Sequence, residues 1–268
     1  GVPVSLDAVP VGMTVDGAVW AIRLRQSHVL VAGASGSGKG SVVWGLLWSL
    51  APMITSGAVQ VWAIDGKGGV ELGRGAGLFT RLATSVDAAE ALLADAATAM
   101  QQRAARMVGS TRLHTPGSSS PQLVIMIDEL AAITSYVTDA KKRRSIASSL
   151  ALLLSQGRAL GVTVVGCVQN PSKETVGACR DLFLQRVALR LTARTEPAMV
   201  LNDEALATGA DPCAIPSSRP GTAYAVTDAG QVVQARASWI SDEHIDHLTR
   251  TVHAPTRSVT DLTPGRIS

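Results

Sequence analysis

The sequence predicts an α/β fold with a mostly parallel central sheet flanked by helices. Three observations carry that prediction. Val29, Leu30 and Val31 form a short apolar run that enters a glycine-rich loop, and Ser41 to Leu50 reads as a helix directly after it. Leu123 to Ile127 is a second continuous apolar run, and it ends on the acidic pair Asp128 and Glu129. Further β-type runs alternate with helical stretches, the pattern of parallel strands joined by crossover helices.

In chain order, Val9 to Val15 and Val19 to Leu24 flank an Asp16-Gly17 turn and give an N-terminal β-segment over residues 1–27. Val59 to Ile64 is the next strand after the first helix, and it ends in the polar, glycine-rich Asp65-Gly66-Lys67-Gly68-Gly69. Val86 to Val108 is alanine-rich, with Leu92, Leu93, Ala96, Met100 and Met107 on a helical spacing. Residues 109–121 carry Gly, Ser, Thr and Pro and read as a loop. The spacing predicts a helix over 141–160 closed by Gly161, then a strand over Val162 to Val168 that ends in Gln169-Asn170-Pro171. Arg186 to Leu191 is a short strand, and residues 221–226 and 231–235 form a C-terminal hairpin around Asp228-Ala229-Gly230. Asp242 to His253 is a short helix, followed by a polar tail. The expected organisation is a nucleotide-binding core over 28–240, preceded by the β-segment and followed by helix and tail over 241–268.

The loop Gly33-Ala34-Ser35-Gly36-Ser37-Gly38-Lys39 fits G-x-x-x-x-G-K. Such a loop turns successive backbone N–H groups toward a phosphate, and the helix N-terminus after it adds a favourable dipole. Lys39 supplies a point charge to the outer phosphates. The binding stretch extends through Gly40 and Ser41. Gly40 stands where Ser or Thr usually ligates magnesium, and Ser41 is no simple substitute, because one step along a helix turns the side chain by about 100°. The acidic pair is the expected partner of such a loop, since open α/β sheets bind ligands beyond the carboxyl ends of their strands. Asp128 is then the magnesium-shell residue and Glu129 the general base for water. The competing reading is that both merely cap a helix. ATP with Mg2+ is the cofactor set this pattern implies. The order of loop, helix, strand, long helix and acidic strand suits a RecA-like core, and the loop is not the G-x-G-x-x-G of dinucleotide folds.

Composition bounds the reading. The chain has 268 residues, 46% apolar and only 3% aromatic, so its core must be built from Ala, Val, Leu and Ile. A net charge of +3 permits a polyanionic partner without demanding one. Cys167, Cys179 and Cys213 have no metal-type or redox-type spacing, which suits reduced thiols in a cytosolic setting, with Cys167 as plain core. His244, His247 and His253 lack a Cys or acidic cluster to complete a metal site. The longest apolar stretch, 42–54, is too short for a membrane span. The chain opens on Gly1 rather than Met, consistent with a segment of a longer protein. Lys141-Lys142-Arg143-Arg144 is the densest basic run; it is either a sequence-independent phosphate contact or a solvated helix face. Trp20, Trp44, Trp48, Trp62 and Trp239 are too scattered to grip single strands by stacking, which favours backbone tracking on a duplex.

Six separated motifs resemble the motor domain of the FtsK/SpoIIIE DNA translocases, in family order across about residues 28 to 226. They are His28 to Lys39 with its phosphate loop, Asp65 to Gly73, Ile127-Asp-Glu-Leu-Ala131, Ser155 to Gly161, Val168-Gln169-Asn-Pro-Ser172 and Pro220 to Tyr224. The likeness is strongest to the actinobacterial plasmid-transfer branch of TraB-type conjugation proteins, where Gly-Lys-Gly-Ser is a loop variant. The resemblance implies a hexameric ring that pumps double-stranded DNA by ATP hydrolysis at the cytoplasmic face of a membrane, anchored through parts outside this chain. It makes Gln169 the polar sensor and Arg158 the arginine that reaches a neighbouring subunit's nucleotide. It also places the basic run 141–144 near the pore. Asn170 departs from the Arg that commonly follows the sensor. Without the resemblance, Arg158 reads as a helix C-terminal charge and Gln169 as a strand-end amide. Two other functions compete: an assembly module that binds nucleotide without turnover, and a protein-translocating ATPase of the type VII secretion kind. A small-molecule kinase leaves Arg158 and Gln169 unexplained.

Overall fold

The continuous apolar runs are strands buried on both faces, as parallel strands covered by helices must be. The computed structural model describes residues 5–177 and 179–254. Among these, one sheet contains β1 (Val9–Thr14), β2 (Val19–Ile22), β3 (Val29–Ala32), β4 (Val59–Ile64), β5 (Arg81–Ala83), β6 (Gln122–Ile127), β7 (Val162–Val168), β8 (Gln185–Leu189), β9 (Thr222–Val226) and β10 (Val232–Ala237). The helices are α1 (Lys39–Thr55), α2 (Val86–Met107), α3 (Leu130–Ile133), α4 (Ala140–Gln156), α5 (Glu196–Val200), α6 (Asp203–Ala207) and α7 (Asp242–Thr251). The sheet order is β2-β1-β10-β9-β8-β3-β7-β6-β4-β5. From β8 to β5 all neighbours are parallel, whereas β9, β10, β1 and β2 extend the sheet antiparallel. The predicted N-terminal β-segment thus pairs through β1 with the predicted C-terminal hairpin.

Every residue of β3, β4, β6 and β7 is buried. One face packs α1 and α7 through Leu46, Leu47, Leu50, Ile245 and Leu248, and the other packs α2 and α4 through Leu92, Leu93, Met100, Leu150 and Leu153. Each such fully buried aliphatic side chain contributes about 1.5–3 kcal/mol. The core is aliphatic, as the composition demands.

Capping fixes the helix starts. The Ser85 side chain accepts from Ala88 N at 3.2 Å, and Asp139 accepts from Lys141 N at 2.8 Å and Lys142 N at 3.1 Å. The helix expected over 141–160 ends sooner, at Gln156. A Cβ at residue 157 would lie 2.4 Å from Leu153 O and 2.9 Å from Val162 O, so only glycine allows the chain to fold back this tightly into β7. Arg158 therefore sits on a turn rather than in a helix. The first helix runs past Leu50 to Thr55, with Pro52 inside its last turn. Strand β5 and helices α3, α5 and α6 go unpredicted; each is five residues or fewer, too short for a periodicity. The polar tail expected at the C-terminus lies outside the described residues beyond 254.

Arg103 closes the end of α2. It is 7% exposed, and its guanidinium donates to Leu160 O at 2.7 Å, Gly161 O at 3.0 Å and Pro121 O at 2.8 Å. Burial pushes its pKa down to about 10, so it keeps its charge at neutral pH. One side chain thus joins α2, the entry to β6 and the turn that carries Arg158. Arg103→Ala leaves three carbonyls without this donor, and we expect thermal or urea unfolding to register a loss of about 3–4 kcal/mol. Arg103→Lys, with a single ammonium, should recover only part of it.

Candidate functional site

The site lies where β3, β7, β6 and β4 end. Gly33 N–H donates to Val168 O at 3.1 Å and Ala34 N–H to Arg190 O at 2.9 Å, tying the start of the loop to both neighbouring strand ends. The loop then closes on itself through Ser37 N to Ala34 O at 3.1 Å. Gly38, at φ +100°, precedes α1 with no side-chain cap, leaving the amides at the helix start open to an anion. A Cβ at Gly38 would lie 2.2 Å from Gly221 N, so the residue meets both a backbone and a packing demand. Lys39 Nζ donates back to Gly33 O at 2.5 Å and Ala34 O at 3.3 Å. Burial lowers its pKa, while Glu129 and Asp128 act in the opposite direction.

Asp128 and Glu129 leave the end of β6. Glu129 is 6% exposed, and its carboxylate accepts from Ala131 N at 3.4 Å and from Gln169 N at 3.2 Å. It caps α3 and at the same time binds the end of β7, so the capping alternative and the site placement coexist in one side chain. Burial raises its pKa. Asp128 Oδ2 is buried with no hydrogen-bond partner, 3.8 Å from Lys67 Nζ. Burial outweighs that lysine and lifts the Asp128 pKa to about 6. A buried carboxylate oxygen without a donor is a fitting ligand for a cation, so Asp128 suits the magnesium role. At Gly40 no hydroxyl is present, yet the space for one exists: a Cβ there meets nothing nearer than Trp44 Cδ1 at 4.0 Å.

The sequence singled out the loop after β4 without giving it a role. The buried Asp65 carboxylate accepts from Lys67 N at 2.9 Å, Glu71 N at 3.0 Å and Leu72 N at 2.7 Å, which folds residues 65–72 over the end of β4. Lys67 is thereby presented to Asp128 and also pairs with Glu71 at 2.9 Å. The Asp-x-Lys spacing beside an acidic strand is the signal that could have found it.

Arg158 is exposed on the turn before β7, at the opposite end of that strand from Gln169. Seven strand residues separate them by roughly 20 Å, so Arg158 is not part of this chain's own phosphate site. The basic run begins α4 at the phosphate-loop end of the sheet. Lys142 pairs with Asp87, and Arg143 donates to Val137 O at 2.8 Å. Lys141 and Arg144 are exposed with no ion pair among the described residues. Ser241 caps α7 by accepting from His244 N, the His244 ring accepts in turn from Ser241 N, and the rings of His244 and His247 pack against Trp48.

The profile of the FtsK/SpoIIIE family matches residues 2–203. The chain belongs to that family. FtsK/SpoIIIE domains are P-loop ATPases, and DNA translocases are among the relatives. DNA translocase SftA of Bacillus subtilis is 25% identical over 259 residues, which cover 91% of this chain and 26% of SftA. A sporulation regulatory protein of Streptomyces azureus is 31% identical over 232 residues, 82% of this chain and 75% of that protein. The conjugation coupling protein TcpA of pCW3, solved as a monomer with ATPγS, superposes with a TM-score of 0.75 at 23% identity, over 92% of this chain and 70% of that one. The chain spans about a quarter of the translocase SftA. No helix among the described residues is long and apolar enough to cross a membrane.

Two outcomes follow from the electrostatics. The raised Asp128 pKa means the folded state binds a proton more tightly than the unfolded chain, so this group's contribution to stability falls as pH rises from about 4 to above 6. Asp128→Asn should therefore stabilise the nucleotide-free protein at pH 8 by on the order of 2 kcal/mol. The gain should vanish near pH 4, as read by Tm across pH. Gly40→Ser restores a hydroxyl in open space, and we expect it to lower the Mg2+ concentration needed for half-maximal nucleotide binding.

Proposed function

We propose that this chain is the ATP-hydrolysing motor segment of a double-stranded DNA translocase that works as a homo-hexameric ring, in conjugative plasmid transfer or chromosome segregation. The observation that carries the reading is the convergence of the phosphate loop, the buried Asp128 oxygen that no donor satisfies and the Glu129–Gln169 link at one sheet edge. The loop amides and Lys39 would hold the phosphates, and Asp128 would hold a magnesium ion, whose contribution there would be to neutralise phosphate charge. Glu129, whose pKa burial raises above the ordinary carboxylate value, would accept the proton of the attacking water. Its bond to Gln169 N couples the state of the terminal phosphate to the end of β7, and β7 begins at the turn bearing Arg158.

That strand is the physical path between a subunit's own site and the arginine it offers to a neighbour. Arg158 stabilises charge on the transferring phosphoryl group of the adjacent subunit, so hydrolysis depends on assembly. Lys141 and Arg144 contact DNA phosphates without reading sequence. The full-length protein acts at the cytoplasmic face of a membrane through parts outside this chain.

Magnesium-dependent ATP hydrolysis at low salt should rise with both protein concentration and long double-stranded DNA. Lys39→Ala and Glu129→Gln should each cut turnover by at least about a hundredfold. Mixing Lys39→Ala with Arg158→Ala should restore part of the activity, because each subunit supplies what the other lacks. Nucleotide binding with no turnover at any concentration points to the assembly-module reading instead. Turnover indifferent to DNA points to a protein substrate.

A further inference from the structure

We infer that Trp239, together with Arg236, Pro220 and Ser41, forms a stacking platform for the purine base of the bound nucleotide. The inference rests on the nucleotide reading above and extends it to residues that the motifs leave unassigned. The order of the sheet sets the direction in which a nucleotide lies. β3 feeds the phosphate loop; on one side follow β7 and β6, ending in Gln169, Asp128 and Glu129. On the other side follow β8, β9 and β10. With the terminal phosphate at the carboxylates, the other end of the molecule points toward β9 and β10.

On that side the chain before β9 is pressed onto the loop. Gly221 N–H donates to Ser37 O at 2.8 Å, the same close approach that excludes a Cβ at Gly38. Beyond this contact opens a cleft of about 560 Å³, lined by Ser41, Ser218, Pro220, Arg236, Ala237 and Trp239. Its size falls within the range of small-ligand sites. Ser41 stands in the first turn of α1, two residues past Lys39, so the cleft begins where the phosphate-binding stretch ends.

Trp239 is 73% exposed. The other tryptophans are occupied: Trp20, Trp44 and Trp62 are buried, and Trp48 packs against two histidine rings. Trp239 alone among the five presents most of an indole to a cleft. Arg236 lies against the same cleft, with Nε 3.4 Å from Pro220 O, and offers a cation beside a stacked base. Stacking on an aromatic ring tolerates any base, with the larger purine faces favoured.

The test is titration calorimetry of the whole chain in Mg2+ with ATP, GTP and inorganic tripolyphosphate. Trp239→Ala is expected to weaken ATP and GTP by about tenfold while leaving tripolyphosphate unchanged, and Trp239→Phe to keep most of the affinity. The platform is overturned if Trp239→Ala binds ATP like the unaltered chain, or if ATP and tripolyphosphate weaken equally. If the unaltered chain binds neither ATP nor tripolyphosphate, the nucleotide reading itself falls. If it binds both and Trp239→Ala is indistinguishable from it, the platform alone falls.

Discussion

The site depends on the register of three parallel strands. β7 lies between β3 and β6, with Ala32 opposite Val168 and Ile127 opposite Gly166. That register brings the phosphate loop, the end of β7 and the acidic pair to one level. Two bonds then lock the level: Gly33 N to Val168 O, and Gln169 N to the Glu129 carboxylate. A slip of one residue in β6 would invert its two buried faces and move the acidic pair by about 3.3 Å relative to the loop. The strands can hold such a register because they are buried on both faces, where any slip would expose apolar side chains or open voids.

Much of this was legible in the residues. Long apolar runs such as Leu123 to Ile127 signal buried strands whatever their neighbours, and a glycine-lysine loop between strand and helix has few other uses. The turn at Gly157 was not legible. Its cause is the crowding of the Leu153 and Val162 carbonyl oxygens around the space a Cβ at residue 157 would fill, and helical spacing on the local sequence runs straight through it. The role of Lys67 was hidden for a related reason. Only the folding of residues 65–72 around Asp65 presents that lysine to Asp128, and those residues are distant in sequence. Trp239 looked like one scattered aromatic among five until burial separated it from the rest.

Function is written into the molecule as local instability. The Asp128 oxygen carries no donor, Lys39 is half-buried against backbone carbonyls, and the Ser37 hydroxyl is buried unpaired. Each costs free energy in the empty protein. These costs fall at one sheet edge, while the opposite end of the sheet is braced by the three bonds of Arg103. A ligand that satisfies the loop and the carboxylate would remove these costs at the phosphate-loop end of the sheet.

The two outermost strands carry a different consequence. β2 has four residues and β5 three, so the sheet closes on both sides with hardly any free backbone ladder. Another copy of the chain finds no template there for strand addition, which is how exposed edges turn into aggregates. Among the described residues, the surfaces left to a partner are mainly those of helices and loops, where side-chain identity decides the match. A chain with long, bare edges would adhere to its copies through backbone pairing; edges of four and three residues offer little for that.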